Sequence, residues 1–447
     1  MSLGRTKSCT LLHSTTAMIR STVNDSIRLL FISLACSLGT HAQQPLSPDS
    51  TIRLLHAAFV FDGTDIRPDG WVLVSGHRIL EVSFGKRPAD AVSIAVWEFP
   101  GCTLLPGLIE GHSHLFLHPY NETSWDDQVT KESRAERTAR AVTHARATLM
   151  AGFTTVRDLG TEGAMYDDVG LKHAIEKGVV PGPRMLVATR AIVATGSYGV
   201  KSESSDVELP KGAAEADGVE GVIHEVRTQI GKGADVVKLY ADYRWGPAGE
   251  ARPTFTVEEL KAAVSVASSS GRMVAVHAGT REGMIRAIRA GVTTIEHGQE
   301  GDDTVFRLMK EQGIAYCPTL SAVEAIAGYL GWRKGLDPDP PRIVQSHKSF
   351  RAALASGVTI LMGGDVGVFP HGDNAREMEA LVEYGMTPIA VLQSATAVNA
   401  RVFGLGDSLG SIKPGYLADL IIVYGNPSVD IHAVRQIRMV MKDGVVY

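Results

Sequence analysis

Eight short runs rich in apolar and β-branched residues recur through the middle of this chain, each parted from the next by a stretch with helical patterning. That alternation limits the fold more than any other feature. The runs cover 103–109, 154–157, 185–189, 236–240, 273–277, 293–296, 315–318 and 359–362. Helical stretches fall between them, for example 134–150, 257–269 behind Thr256 as an N-cap, and 281–289. Parallel neighbours must be reached by crossovers, so strand-helix repetition predicts a parallel sheet. Eight such units predict an α/β protein built on a TIM (β/α)8 barrel spanning 104–407.

A different texture flanks this region. From Thr51 to Val96, and again in 418–424 and 439–446, short alternating runs are punctuated by glycine and proline, which reads as strands joined by tight turns. These segments, 51–103 and 408–447, are expected to combine into one small β-sandwich domain. The first 42 residues differ again. Arg28 precedes an apolar run of about ten residues and then small residues ending at Ala42, too short for the roughly 20 residues that span a bilayer. A signal peptide cleaved after Ala42 and a secreted or periplasmic mature protein are expected.

Composition excludes several classes. The chain has 447 residues, 44% of them hydrophobic and 21% charged, with a formal net charge of −5, which offers no electrostatic footing for nucleic acid or a membrane surface. Of four cysteines, Cys9 and Cys36 would leave with the leader. The remaining Cys102 and Cys317 sit in apolar runs and read as buried small hydrophobes rather than a disulfide framework.

Candidate metal ligands gather at the ends of the predicted strands. His112 and His114 are two apart, so on an extended segment both imidazoles face one side and can grip one cation. With 15 histidines in the chain, about 0.5 such pairs arise by random placement, so the pair alone carries little weight. His277 closes the fifth run, His297 follows the sixth, and Asp365 follows the eighth after two glycines. Their order along barrel strands, at the face where such folds do chemistry, is the stronger signal. Lys238 lies inside an apolar strand, Val236-Val237-Lys238-Leu239-Tyr240. Burial lowers a lysine pKa, and the neutral amine can add carbon dioxide to give a carbamate with two oxygens able to bridge two metals. A lysine on an exposed edge strand, or one paired with a carboxylate, remains the plainer alternative.

The segment from Leu105 to His114, LPGLIEGHSH, and the late segment from Lys413 to Leu420, KPGYLADL, resemble signatures of the metal-dependent amidohydrolase superfamily. The likeness runs from Ala58 to the C-terminus. Within it, Val237-Lys238-Leu239-Tyr240-Ala241-Asp242 and the segment from Pro370 to Glu377 are similar to the imidazolonepropionase-like branch, which includes Xaa-Pro dipeptidases, related carboxypeptidases and ochratoxin-hydrolysing amidases. The resemblance implies two zinc ions bridged by carboxylated Lys238 and a hydroxide. His112, His114 and Asp365 would hold one ion, and His277 with His297 the other. It also implies a homo-oligomer. One departure stands out: many peptidase relatives carry a Gly-Gly-His-Gly loop where this chain reads Ala194-Thr195-Gly196-Ser197-Tyr198-Gly199.

The expected function is hydrolysis of the amide bond of dipeptides or N-acyl amino acids, including ochratoxin-type amides. In this scheme Asp365 moves the proton and Tyr240, two residues beyond Lys238, donates to the developing oxyanion. His371, Arg376 and Arg157 are candidates to hold a substrate carboxylate. His173, His224 and His347, in helical stretches, are expected to face solvent. A cyclic amide or lactone hydrolase on the same centre is the alternative enzyme. A non-catalytic binding protein on a retired barrel is the alternative of another class, and the retention of all six ligand types argues against it.

Overall fold

The computed structural model describes residues 52–200, 204 and 206–447. The expected leader, 1–42, lies outside them. The described residues from Ile52 to Tyr447 fall in one compact unit. Among the described residues, no helix is long and apolar enough to cross a membrane.

Parallel strands and helices alternate through the central region. The strands Val236–Tyr240, Met273–Ala278, Thr294–His297 and Ala315–Cys317 are successive parallel neighbours in a six-stranded sheet that continues through Ile192–Val193 and Ala214–Glu215. Leu108–Ser113, Phe153–Asp158 and Arg184–Val187 form a second, three-stranded parallel sheet. Most of these strands are buried at nearly every position, as parallel strands covered on both faces must be. Strand alternation then sorts the residues of Val236–Tyr240. Val237 and Leu239 join the large cluster formed with the helices, while Val236 packs on the opposite side with Leu159, Ala188 and Ala275. Lys238 and Tyr240 share Val236's face and so point inward.

No continuous ladder joins the two sheets among the described residues. The expected eighth strand, 359–362, is reduced to isolated parallel bridges, Tyr316 with Ile360 and Ser113 with Val366. The segment still bonds both neighbours, Tyr316 N to Thr359 O and Leu361 N to Tyr316 O on one side and Gly111 N to Met362 O on the other, while Ser394 Oγ donates to Ile360 O at 2.8 Å and Asn399 Nδ2 donates to both Met362 O and Ile109 O. Gly363 then passes so close to the first strand that a Cβ would lie 2.8 Å from His112 N.

The helices follow from caps and faces. Arg134–Met150 is capped by the Ser133 hydroxyl, and it buries Arg137, Ala141, Ala145, Thr148 and Leu149, one stripe at helical spacing. Thr256 caps Val257–Ser269 in a full capping box with Glu259. His347 departs from expectation, being buried in the helix Pro341–Ser356 and stacked on Tyr384 at 3.8 Å. His173 and His224 are exposed.

Segments from both ends of the described chain meet in one seven-stranded mixed sheet, in which Leu420–Tyr424 pairs with Val96–Pro106. All these strands belong to that single hydrogen-bonded sheet rather than to two stacked ones. It coils over its own core, including Leu55, Val60, Val72, Leu104, Leu420 and Met441. The expected first run, 103–109, is split at Gly107 between this sheet and the parallel one. A Cβ at Gly107 would sit 2.1 Å from Thr154 Oγ1, so only glycine permits that crossing.

Candidate active site

The residues at the ends of the parallel strands converge. One ligand atom each from His112, His297 and Asp365 lies within 4.8 Å of the others. His114 Nε2 and His112 Nε2 stand 3.3 and 3.5 Å from Asp365 Oδ1, and the His277 ring is 4.4 Å from that of His297. Lys238 is 1% exposed, and its Nζ finds no hydrogen-bond partner among the described residues. Burial pushes its pKa down, against the opposing pull of Glu296 and Asp365.

Three of the four imidazoles are oriented through the far nitrogen, as is usual for metal ligands. His112 Nδ1 bonds Glu296 Oε2 at 2.9 Å, His114 Nδ1 bonds Gly160 O at 2.8 Å, and His297 Nδ1 bonds Thr319 Oγ1 at 2.8 Å. His277 instead stacks on Tyr240, with centroids 4.6 Å apart. Burial drives His112, His277 and His297 well below the ordinary histidine pKa, whereas at His114 burial is outweighed by the bond to Asp365 and the nearby carboxylates, which raise it to about 9. Burial raises the Asp365 carboxyl, but the charges of His112, His114 and Lys238 outweigh it and hold it at about 2.

Beneath the site, Glu110 joins the first strand to the segment before Asp365. Its Oε1 accepts from His112 N and Gly364 N, and its Oε2 from Asn374 Nδ2. Strain gathers at the same place. Glu162, His297, Thr319 and Asp365 have φ of +49°, +72°, +51° and +62°. Non-glycine residues rarely adopt this conformation, which costs about 1–3 kcal/mol each and is retained where function needs it.

These residues open onto a cavity of about 380 Å³ lined by His114, His277, His297 and Asp365 and by a tyrosine wall of Tyr120, Tyr198, Tyr240 and Tyr243. Tyr240 is 6% exposed, and its hydroxyl donates to Glu162 Oε1 at 3.3 Å. Three expected carboxylate holders lie outside the cavity lining. Arg157 is fully buried: Nη2 bonds Glu296 Oε1 at 2.9 Å, Nη1 bonds Thr294 and Nε bonds Gly111 O. Its charge neutralises Glu296, so it has none left for a ligand. His371 stacks on His144 at 4.4 Å and donates to Leu117 O. Arg376 lies over the Phe369 ring, 3.9 Å from Glu324. The cavity's cations are Arg244 and Arg342. Sequence reasoning passed over both, and also Glu162, although the Pro340-Pro341 pair before Arg342 was a legible helix start.

The amidohydrolase family profile matches residues 103–447. An ochratoxinase of Aspergillus niger is 32% identical over 360 residues, covering 74% of this chain and 72% of its own length. Among solved structures, a Xaa-Pro dipeptidase with methionine bound in its active site is similar, with 33% identity and a TM-score of 0.77 over 89% of this chain and all of that one. A prolidase complexed with N-methylphosphonate-L-proline gives 29% identity and a TM-score of 0.75 over 89% of this chain and 99% of the other.

Proposed function

The chain belongs to the amidohydrolase family and is a hydrolase acting on C–N amide bonds, and on that premise we propose that it is a binuclear zinc enzyme that cleaves dipeptides or N-acyl amino acids and releases the C-terminal amino acid. The observation that carries this reading is the buried Lys238 Nζ, without a hydrogen-bond partner among the described residues, on the strand beside the converging imidazoles and the Asp365 carboxylate. A bare ammonium in such a place is costly. A neutral amine that adds carbon dioxide, forming one N–C bond and releasing one proton, yields an anion suited to two cations. His112, His114 and Asp365 would hold one zinc, His277 and His297 the other, with carboxylated Lys238 between them. Bound there, the metals supply Lewis acidity toward a carbonyl and a nucleophile at neutral pH. In this reading the parallel strands close a (β/α)8 barrel across the bridges at Ile360 and Val366, and the leader directs export.

The chain's own groups then have definite tasks. Asp365, ionised near neutral pH, accepts a proton and returns it to the leaving nitrogen. The Tyr240 hydroxyl leaves its long bond to Glu162 and donates to the carbonyl oxygen as that oxygen gains charge. Tyr120, Tyr198 and Tyr243 wall the substrate from bulk water. A panel of dipeptides, N-acyl amino acids and lactones tests the proposal. Release of free amino acid from the first two groups, abolished by chelation and restored by zinc, is expected. Lactone hydrolysis without amide hydrolysis, or turnover indifferent to chelation, would overturn it.

A further inference from the structure

The cavity contains charges that its own walls leave uncompensated. Glu162 is 2% exposed, and no lysine, arginine or histidine reaches its carboxylate within ion-pair distance among the described residues. Its oxygens accept only from neutral donors: Trp125 Nε1 at 3.0 Å, the Tyr198 hydroxyl, and Tyr240 at 3.3 Å. Arg137, the nearest buried guanidinium, gives its donors to the backbone carbonyls of Phe116, Thr161 and Glu162 instead. A buried carboxylate without a counter-ion is costly, and the aromatic faces around this one attract cations.

Opposite charge stands elsewhere on the same lining. Arg342, at the start of the helix Pro341–Ser356, and Arg244, at the end of the strand Asp242–Arg244, line the same cavity. Both are exposed to solvent, and neither guanidinium forms an ion pair or hydrogen bond among the described residues. Of the other lining carboxylates, Asp242 accepts from Gly279 and Thr280, Asp365 faces His112 and His114, and Glu300 is exposed to solvent. The charges are also tied to different histidines: Glu162 lies two residues beyond Gly160, whose carbonyl bonds His114 Nδ1 at 2.8 Å, whereas the helix that carries Arg342 holds the turn after His297 through Gln345 Nε2 to Gln299 O and Ser349 Oγ to Gly298 O.

We infer that the site takes a zwitterionic dipeptide, its free α-ammonium held by Glu162 within the tyrosine cage and its terminal carboxylate by Arg342 with Arg244. This narrows the function proposed above and rests on it. An N-acyl amino acid would satisfy only the arginines.

The test uses the full-length metal-loaded protein and three compounds: Ala-Leu, propionyl-leucine, which lacks only the ammonium, and Ala-leucinamide, which lacks the carboxylate. Loss of one charge-assisted contact should lower kcat/KM by about 10- to 100-fold for either analogue. Glu162→Gln should shrink the gap between Ala-Leu and propionyl-leucine. Arg342→Met should shrink the gap between acid and amide, with Glu162→Asp and Arg342→Lys restoring part of each. Equal turnover of Ala-Leu and propionyl-leucine by the wild type would overturn the inference. So would a Glu162→Gln variant that slows every compound alike, because that marks a positioning role through Tyr240. Should none of the three be cleaved, the hydrolytic reading itself fails. Calorimetric Kd values for the same compounds then judge the charge preference separately: a 10-fold or greater advantage for the zwitterion supports it, and equal values refute it.

Discussion

Replacing Arg157 by methionine should destabilise the protein rather than weaken substrate binding. The guanidinium is fully buried, bonds Glu296, Thr294 and Gly111, and lies 4.4 Å from the Phe403 ring. Burial alone would raise the Glu296 carboxyl, but Arg157 and Lys238 outweigh it and keep it ionised. Methionine roughly preserves the bulk and leaves that carboxylate without its chief partner. Breaking a buried pair from one side costs about 3–5 kcal/mol. An unfolding entropy of about 2.1 cal/mol/K per residue, taken over about 400 residues, makes this a Tm loss of about 4–6 °C. Scanning calorimetry reads it directly. Arg157→Met combined with Glu296→Gln removes the stranded charge and should recover at least half of the loss. A Tm within about 1 °C of wild type, together with a raised KM for substrates bearing a carboxylate, would refute the assignment and return Arg157 to substrate binding.

Two further outcomes follow from the same physical account. Burial raises the Glu377 carboxyl to about 8, so the folded state keeps a proton that the unfolded chain releases near 4.5. Its stabilising contribution is complete below pH 4.5 and fades as pH climbs to about 8, with a slope of up to about 1.4 kcal/mol per pH unit; Glu377→Gln should flatten that stretch of a denaturation-versus-pH curve, and an unchanged curve would exclude the role. If the leader directs export, N-terminal sequencing of exported protein should begin at Gln43, whereas an intact N-terminus on the exported chain would contradict cleavage after Ala42.

The pattern of residues carried much of the fold because its strongest signals are local. The helix boundaries at Arg134, Met150, Val257 and Ser269 follow from caps and apolar periodicity, and the strand Val236–Tyr240 follows from a continuous apolar run. What stayed hidden depends on contacts between distant residues. Nothing near Arg157 in sequence reveals Glu296, 139 residues on, so a buried ion pair looked like a free cation. The run 359–362 has strand composition, yet only isolated bridges form there, and side chains as distant as Ser394 and Asn399 share its carbonyls. Glu162 escaped notice because, between Gly160 and Gly163, it reads as an ordinary residue of a glycine turn, and its own positive φ and burial are not announced by residue identity. The strand-end placement of His112, His114, His277, His297 and Asp365 was legible in the sequence, as was the apolar strand that buries Lys238, whereas the cavity's arginines required the structure.

Metal content per chain, measured by elemental mass spectrometry on the purified wild type and on Lys238→Ala, tests the central claim most directly. The account predicts two zinc ions per wild-type chain and at most one in the variant, with amide hydrolysis lost in step. A wild type holding one ion or none, or a Lys238→Ala variant that retains two, would contradict it.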